Sequence, residues 1–186
     1  MVLSLPVPAA TITFFEQQAT QKIQSEGWEG RDKELKKKNF LRCWITEEAF
    51  KQVLISRGIW FRHRGLYFGD APGAGPDFMV RKEGKEISLG LRSIGEESLL
   101  HWKSVPYPDD RFRLEKETIA DYHVVCFLKE ETVAFLGMVE KNILLRELSQ
   151  AGRKYSRGNQ EYFRVIPLER FSPELMKRFL SILDSK

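Results

Sequence analysis

Residues 75–93, GPDFMVRKEGKEISLGLRS, predict two short β-strands joined by a tight hairpin. The first strand covers residues 77–81 and begins at an aspartate, Asp77, and the second covers residues 86–92. Because side chains alternate along a strand, one face of the second strand carries Glu86, Ser88, Gly90 and Arg92. The segment therefore predicts a sheet edge at which an acidic strand start lies beside a charged strand face.

Composition favours one globular domain. The chain has 186 residues, of which 42% are hydrophobic and 30% are charged, as in ordinary globular proteins. Its net charge of +4 and sequence pI near 9.0 are compatible with a polyanionic partner, although many basic proteins bind none. The two cysteines, Cys43 and Cys126, lack the spacing of a zinc site or a disulfide framework, which fits a reducing cytoplasm.

The sequence also argues against a membrane protein. The apolar start, MVLSLPVPAATITFF, has no basic segment before it and contains Pro6 and Pro8, so we do not expect a signal peptide. No run approaches the roughly 18 apolar residues that span a bilayer. We expect a cytoplasmic protein without a membrane partner.

Hydrophobic periodicity and turn residues predict the elements. Helices are expected over 9–27, from an N-cap at Thr46 to Gly58, over 94–103 and 141–149, and after Ser172-Pro173. Strands are expected over 59–68, 77–81, 86–92, 120–128, 133–139 and 162–166, with irregular chain over 69–76, 107–116 and 150–160. The prediction is a mixed α/β (α+β) fold with a central mixed β-sheet flanked by helices. We expect one domain, 1–186, with an N-terminal helical extension (1–45) and a core (46–186).

Three basic segments are candidates for nucleic-acid contacts. Residues 30–42, GRDKELKKKNFLR, are either a solvated surface or a phosphate-contacting one. Arg62 and Arg64 flank a histidine near the Asp77 strand. In AGRKYSRGNQEY, residues 151–162, three cations interleave with Tyr155: Arg153, Lys154 and Arg157. This segment is either a mobile basic loop or a grip on a nucleic-acid backbone with a stacking ring.

Carboxylates near the hairpin are candidate metal ligands. Hydrolysis of phosphodiesters with Mg²⁺ needs hard oxygen ligands and an activated water. Asp77, the strand face with Glu86, and Glu47 or Glu48 of the preceding helix can meet at one sheet end. The three histidines, His63, His101 and His123, show no metal spacing, and Asp121 is interpreted as a solvated turn residue.

Five features follow one another along the chain and form a pattern. They are a helix with Glu47, Gly58 after it, Pro76-Asp77, the Gly90-Leu91-Arg92 triplet and the later strand ADYHVVCFL. This pattern resembles the PD-(D/E)xK nuclease superfamily and covers about half of the chain. The resemblance implies a restriction-endonuclease-like fold and a nuclease-like protein that binds DNA and cleaves phosphodiester bonds with a divalent metal.

The resemblance also implies roles for individual residues. Asp77 would ligate Mg²⁺, Arg92 would contact the scissile phosphate, and Glu47 would assist the metal or the water. Glu86, on the same strand face as residue 90, is the candidate for a second metal ligand. Independently of the resemblance, the basic segments give the expected DNA contacts: Arg62, Arg64, Arg153, Lys154 and Arg157.

The chain departs from the family pattern at two positions. Gly90 stands where the family has a second carboxylate, and Arg92 stands where it has a lysine. Arginine keeps the charge but cannot act as a base near neutral pH.

Three explanations of Gly90 stay open. In the first, the missing ligand comes from elsewhere, with Glu86, Glu96 and Glu97 as candidates. In the second, the site is inactive and the fold binds DNA or a protein partner. In the third, the resemblance is accidental and Gly90 is a strand glycine that allows close packing. A homodimer is equally open.

Overall fold

The computed structural model describes residues 3–25, 32–65 and 75–184. The strands are β1 (Leu3–Pro6), β2 (Phe61–His63), β3 (Phe78–Lys82), β4 (Lys85–Ile94), β5 (Ser104–Pro108), β6 (Tyr122–Lys129), β7 (Thr132–Glu140), β8 (Lys154–Ser156) and β9 (Glu161–Pro167). The helices are α1 (Ala9–Ser25), α2 (Lys33–Ser56), α3 (Glu96–Leu100), α4 (Asp109–Glu115), α5 (Lys141–Gln150) and α6 (Pro173–Asp184), with a 3₁₀ turn at Leu168–Arg170.

The main sheet has six strands in the order β1-β7-β6-β4-β3-β2. Strands β3 and β4 form the predicted antiparallel hairpin, and β4 pairs in parallel with β6. The remaining neighbours are antiparallel. The sheet is therefore mixed, and the predicted class, a central mixed sheet flanked by helices, is confirmed.

Helices and a second sheet cover the two faces of the main sheet. On one face, α2 contacts β4, β6 and β7, and α1 and α6 add to the same hydrophobic core. On the other face, α4, α5 and strands β5 and β9 enclose a second core. Successive residues of β6 enter different cores, Val124 and Cys126 the first and Val125 the second, so β6 is buried on both faces as predicted.

The second sheet was not predicted from the sequence. It contains three strands in the order β5-β9-β8. The expectation of irregular chain over 107–116 is wrong, because β5 and α4 lie there. Strand β8 likewise lies within the segment 150–160, which was predicted to be a loop.

Helix α2 corrects the prediction of a helix that begins at Thr46. The helix begins at Lys33, and its N-cap is Asp32, whose side chain accepts a hydrogen bond from the amide of Leu35 (3.0 Å). Thr46 is buried within the helix, and its hydroxyl donates to the carbonyl of Cys43 (2.8 Å). The described cations of the segment 30–42 therefore lie in or beside this helix, while Arg31 is outside the described residues. The expected boundary between the N-terminal extension (1–45) and the core (46–186) lies within this helix.

Two predicted helix ends agree with the structure. Gly58 follows α2 with a φ of 65°, a conformation that glycine adopts without a steric cost. The hydroxyl of Ser172 accepts a hydrogen bond from the amide of Leu175 (3.1 Å) at the start of α6. Of the predicted strand 59–68, residues 61–63 form β2. Residues 66–74, which include the end of that strand and most of the predicted loop 69–76, lie outside the described residues. No helix in the described parts of the chain has the length and apolarity to cross a membrane.

Candidate functional site

Asp77 lies at the start of β3, where β2, β3 and β4 meet. Its backbone amide donates to the carbonyl of Leu89 (2.9 Å) and its residue surface is only 6% exposed. Oδ2 accepts a hydrogen bond from the amide of Leu91 (2.6 Å), and Oδ1 accepts one from Nη2 of Arg64 (2.9 Å). Both carboxylate oxygens are therefore engaged by the protein itself.

Arg64 follows β2 and binds the Asp77 segment at three points. Besides its ion pair with Asp77, it donates from Nη1 to the carbonyl of Gly75 (2.8 Å), and its backbone amide donates to the carbonyl of Asp77 (3.1 Å). The guanidinium is thus held against the aspartate by backbone as well as by charge. The sequence pointed to Arg64 as a DNA contact, and the structure places it as the counterion of Asp77.

Glu47 projects from α2 toward the same end of the sheet. It is 9% exposed, and its Oε2 lies 3.1 Å from Nε2 of His63, whose ring stacks on Phe78. Burial raises the pKa of Glu47 to about 7, with a further increase from the charge of Asp77 and an opposing effect of the His63 hydrogen bond. Glu47 and Asp77 are therefore electrostatic neighbours, and Glu47 holds a proton close to neutral pH.

Gly90 is opposite His123 in the parallel pairing of β4 and β6. A Cβ atom at position 90 would lie 2.7 Å from both Cδ2 and Nε2 of the imidazole. His123 is 2% exposed, and burial together with the charges of Arg92 and Arg111 lowers its pKa well below the usual value. A neutral imidazole therefore fills the volume into which a second carboxylate would project from residue 90.

Arg92 lies on the same strand face as Gly90. Its guanidinium carbon is 4.1 Å from the ring centroid of Tyr107 in the second sheet, an arrangement typical of cation–π contacts. A cleft between Asp77, Arg92 and His123 has a volume of about 10 Å³, room for about one water molecule. Among the described residues, the candidate site consequently has little free volume, and Arg92 packs on an aromatic ring.

The other acidic candidates do not approach Asp77 in the structure. Glu86 is an exposed residue paired with Arg81 (3.2 Å) and Arg62 (3.8 Å). It lies four residues before Gly90, or about 13 Å along the strand. The expectation that Glu86 completes a metal site with Asp77 therefore has no support in this geometry.

Four further carboxylates have partners of their own or stay in solvent. Glu48 binds Lys51 and Gln52 of its own helix. Asp121 accepts hydrogen bonds from the amide and hydroxyl of Ser88 (2.8 and 2.7 Å) and so links β4 to the segment before β6. Glu96 and Glu97 are exposed in the first turn of α3.

The described residues around Asp77 do not fit a magnesium ion. Mg²⁺ demands several oxygen ligands in near-octahedral geometry, whereas Asp77 is bonded to Arg64 and residue 90 has no side chain. Among the described residues, no group of three or more histidine, cysteine, aspartate or glutamate side chains is arranged to hold a metal.

The remaining predicted DNA contacts lie in two places. Arg62 is exposed on β2, at the edge of the main sheet. Lys154 and Arg157 are exposed in or beside β8 of the second sheet. Arg153 is partly engaged, since its Nε lies 2.9 Å from Oδ2 of Asp109 and its guanidinium covers the Tyr162 ring.

Sequence reasoning missed the cluster around Asp109. This aspartate is fully buried at the start of α4, and Nε of Arg164 donates to its Oδ1 (2.6 Å). Nη1 of Arg164 also donates to the carbonyls of Leu148 and Ala151 at the end of α5. The signal was present in Pro108-Asp109-Asp110, because acidic residues after a proline are typical of a helix start.

Comparisons with known proteins give likeness in structure and none in sequence. The sequence matches no described protein family, and no curated protein is similar to it in sequence. Among solved structures, D212, a nuclease from a fusselovirus, superposes with a TM-score of 0.41 at 8% identity, covering 77% of this chain and 90% of D212. A likeness of this degree carries no argument about activity.

Proposed function

We propose that this chain is a nuclease-like DNA-binding protein whose Asp77 site does not hydrolyse DNA by the two-carboxylate, metal-dependent route. The order of elements supports the first part: helix α2 with Glu47, then β2, Pro76-Asp77, the β3–β4 hairpin and the parallel strand β6. The observation that carries the second part is the His123 ring in the place of a carboxylate at residue 90.

The electrostatics of the site favour binding over hydrolysis. The charge of Arg64 beside Asp77 opposes the approach of a divalent cation. Arg92 cannot take up the proton of an attacking water, because a guanidinium stays protonated in proteins. The surroundings of His123 include both Arg92 and Arg111. An anion is therefore a better match to this end of the sheet than a metal ion.

DNA is the polyanion that we propose. The net charge of +4 and the exposed cations Arg62, Lys154 and Arg157 are suited to phosphate contacts, which position DNA without reading its sequence. Each such contact adds to the salt dependence of binding, because bound phosphates release counterions.

Two measurements on the purified chain test the proposal. Supercoiled and branched DNA incubated with Mg²⁺ or Mn²⁺ should stay uncut. A labelled duplex should bind with an affinity that falls as salt rises, and Arg157→Ala should reduce the slope of log K against log salt by about 0.9. Lys177→Ala, which removes an exposed cation of α6, is the matched control and should leave the slope unchanged.

Each half of the proposal fails on its own result. Metal-dependent cleavage that disappears in Asp77→Asn would show that the site is an active nuclease. Absence of duplex binding at low salt would remove DNA as the partner and leave only the fold.

A further inference from the structure

The outer face of the second sheet contains an open cleft. Its volume is about 470 Å³, and it is lined by apolar and basic side chains: Trp102, Lys103, Lys154, Phe163, Val165 and Pro167, together with Ser104. We call it the Trp102 cleft. Its volume lies within the range of small-molecule sites in proteins.

The cleft follows from the alternation of side chains along β9. Ile166 faces inward and belongs to the second hydrophobic core. Phe163, Val165 and Pro167 alternate with it and so face outward, where they are half-buried. In the described structure no helix or strand lies over them, and Trp102 beside them is 56% exposed. The molecule thus presents an aromatic and aliphatic surface to solvent.

The charges of the cleft are all positive. Lys103 and Lys154 are exposed, and neither forms an ion pair with the described residues. None of the described lining residues is acidic. Lys103 has a φ of 45°, and its carbonyl accepts a hydrogen bond from the amide of Leu168 (2.8 Å). An unusual backbone conformation therefore fixes the direction of the chain between Trp102 and β5.

We propose that the Trp102 cleft binds single-stranded nucleic acid. A flat ring on an apolar floor stacks on bases whatever their sequence, and flanking lysines neutralise the phosphates. The bases of a duplex are stacked on each other and are not accessible to a protein ring. This inference rests on the proposed function, the binding of nucleic acid. It adds that the nucleic acid bound in this cleft is single-stranded.

The spacing of the lysines favours an oligonucleotide over a single nucleotide. Lys154 is paired with Phe163 on one side of β9, while Ser104, next to Lys103, is paired with Pro167 on the other side. Two strand spacings and four residues of rise place the backbone positions of Lys154 and Ser104 roughly 17 Å apart. A chain of several nucleotides is needed to contact both lysines and Trp102 together.

Binding of a labelled oligo(dT) of about 12 nucleotides, a length within the usual range of such sites, tests the proposal. Fluorescence anisotropy is measured for the wild type, Trp102→Ala and the control Trp60→Ala, which removes another exposed tryptophan (46%) on the main sheet. We expect Trp102→Ala to weaken oligo(dT) binding by about fivefold or more. Trp60→Ala should not change it, and duplex binding should be the same in all three proteins.

Two further variants separate binding from folding. Trp102→Phe keeps a stacking ring and should restore most of the affinity. Lys154→Ala should lower the salt slope for oligo(dT) by about 0.7, which a merely structural residue would not do.

The outcomes distinguish this inference from the proposed function. If the duplex binds but oligo(dT) affinity is equal in Trp102→Ala and Trp60→Ala, the cleft is not the binding site and the proposed function stands. If Trp102→Ala fails to fold, the Lys154→Ala variant decides: an unchanged salt slope for oligo(dT) binding overturns the inference. If neither duplex nor oligo(dT) binds at low salt, both proposals fall.

Discussion

Asp77 and Asp109 are two buried aspartates in similar surroundings, although only one belongs to a recognisable motif. Asp77 stands at the start of β3 and binds Arg64, and Asp109 stands at the start of α4 and binds Arg164. In both clusters the arginine also donates to backbone carbonyls. The comparison shows that an aspartate at the start of a strand or helix, even one that follows a proline, can form a buried ion pair with an arginine. Such a position does not by itself indicate a metal ligand.

The two clusters differ in what else surrounds the aspartate. Of the described acidic residues, three are buried: Glu47, Asp77 and Asp109. The first two are electrostatic neighbours, whereas Asp109 has arginines on both sides. The Asp77 region therefore combines an ion pair with a carboxyl group that titrates near neutral pH, an arrangement more typical of functional sites. The Asp109 cluster has the features of a structural clamp between α4, α5 and β9.

The largest expected effect is from Asp109→Asn. This change leaves Arg164 and Arg153 beside a neutral group, and breaking a buried ion pair costs about 3–5 kcal/mol. The free energy of unfolding, measured in urea, should fall by that amount. Asp110→Asn is the control, because this neighbouring side chain is 72% exposed and its loss should change stability little. Equal effects of the two changes would mean that Asp109 is not a clamp.

Asp77→Asn should cost less than Asp109→Asn, about 2–3 kcal/mol. The amide oxygen of the new side chain can still accept from Leu91, and Arg64 keeps its bond to Gly75. Urea unfolding of Asp77→Asn, Arg64→Ala and the double variant gives the coupling of the pair. A variant more stable than the wild type would instead identify Asp77 as a strained functional carboxylate, and the likeness to Asp109 would be lost.

The raised pKa of Glu47 predicts that stability depends on pH at the Asp77 end of the sheet. The pKa rises from 4.5 to about 7 on folding, so the folded state binds the proton more tightly than the unfolded state. This stabilisation is complete below the unfolded pKa and is lost as pH rises through the folded one. Between about pH 5.5 and 7.5 the wild type should lose roughly 2 kcal/mol of stability relative to Glu47→Gln. Parallel stability curves for the two proteins would contradict the assignment.

Elements with strong local signals could be predicted from the sequence. The hairpin β3–β4, the apolar strands β6 and β7, and helix α6 after its serine cap needed only periodicity and turn residues. Strand β5 was missed because its sequence, SVPYP, contains two prolines. Prolines are tolerated at a sheet edge, and β5 is an edge strand of the second sheet. That position depends on pairing with β9, which no local signal shows.

The candidate site, too, could be predicted from the sequence only in part. The motif located Glu47 and Asp77, and the structure places them as neighbours. Their partners could not be predicted, because Arg64 is 13 residues from Asp77 in the sequence and His123 reaches Gly90 through the register of β4 on β6. A change of one residue in that register would turn His123 to the other face of the sheet.

The smallest expected effect tests this register directly, through Gly90→Ala. The new Cβ would lie 2.7 Å from the His123 ring, and overpacking of a buried site costs about 1–3 kcal/mol. The cost should shrink in a His123→Ala background, because the ring that causes the conflict is gone. Gly95→Ala is the control, since its Cβ would meet only the far end of the long Arg42 side chain, at 2.8 Å, and should be accommodated more easily. If Gly90→Ala costs the same with and without the imidazole, then His123 does not occupy the place of the missing carboxylate, and the Asp77 region would have room for a ligand that the Asp109 cluster lacks.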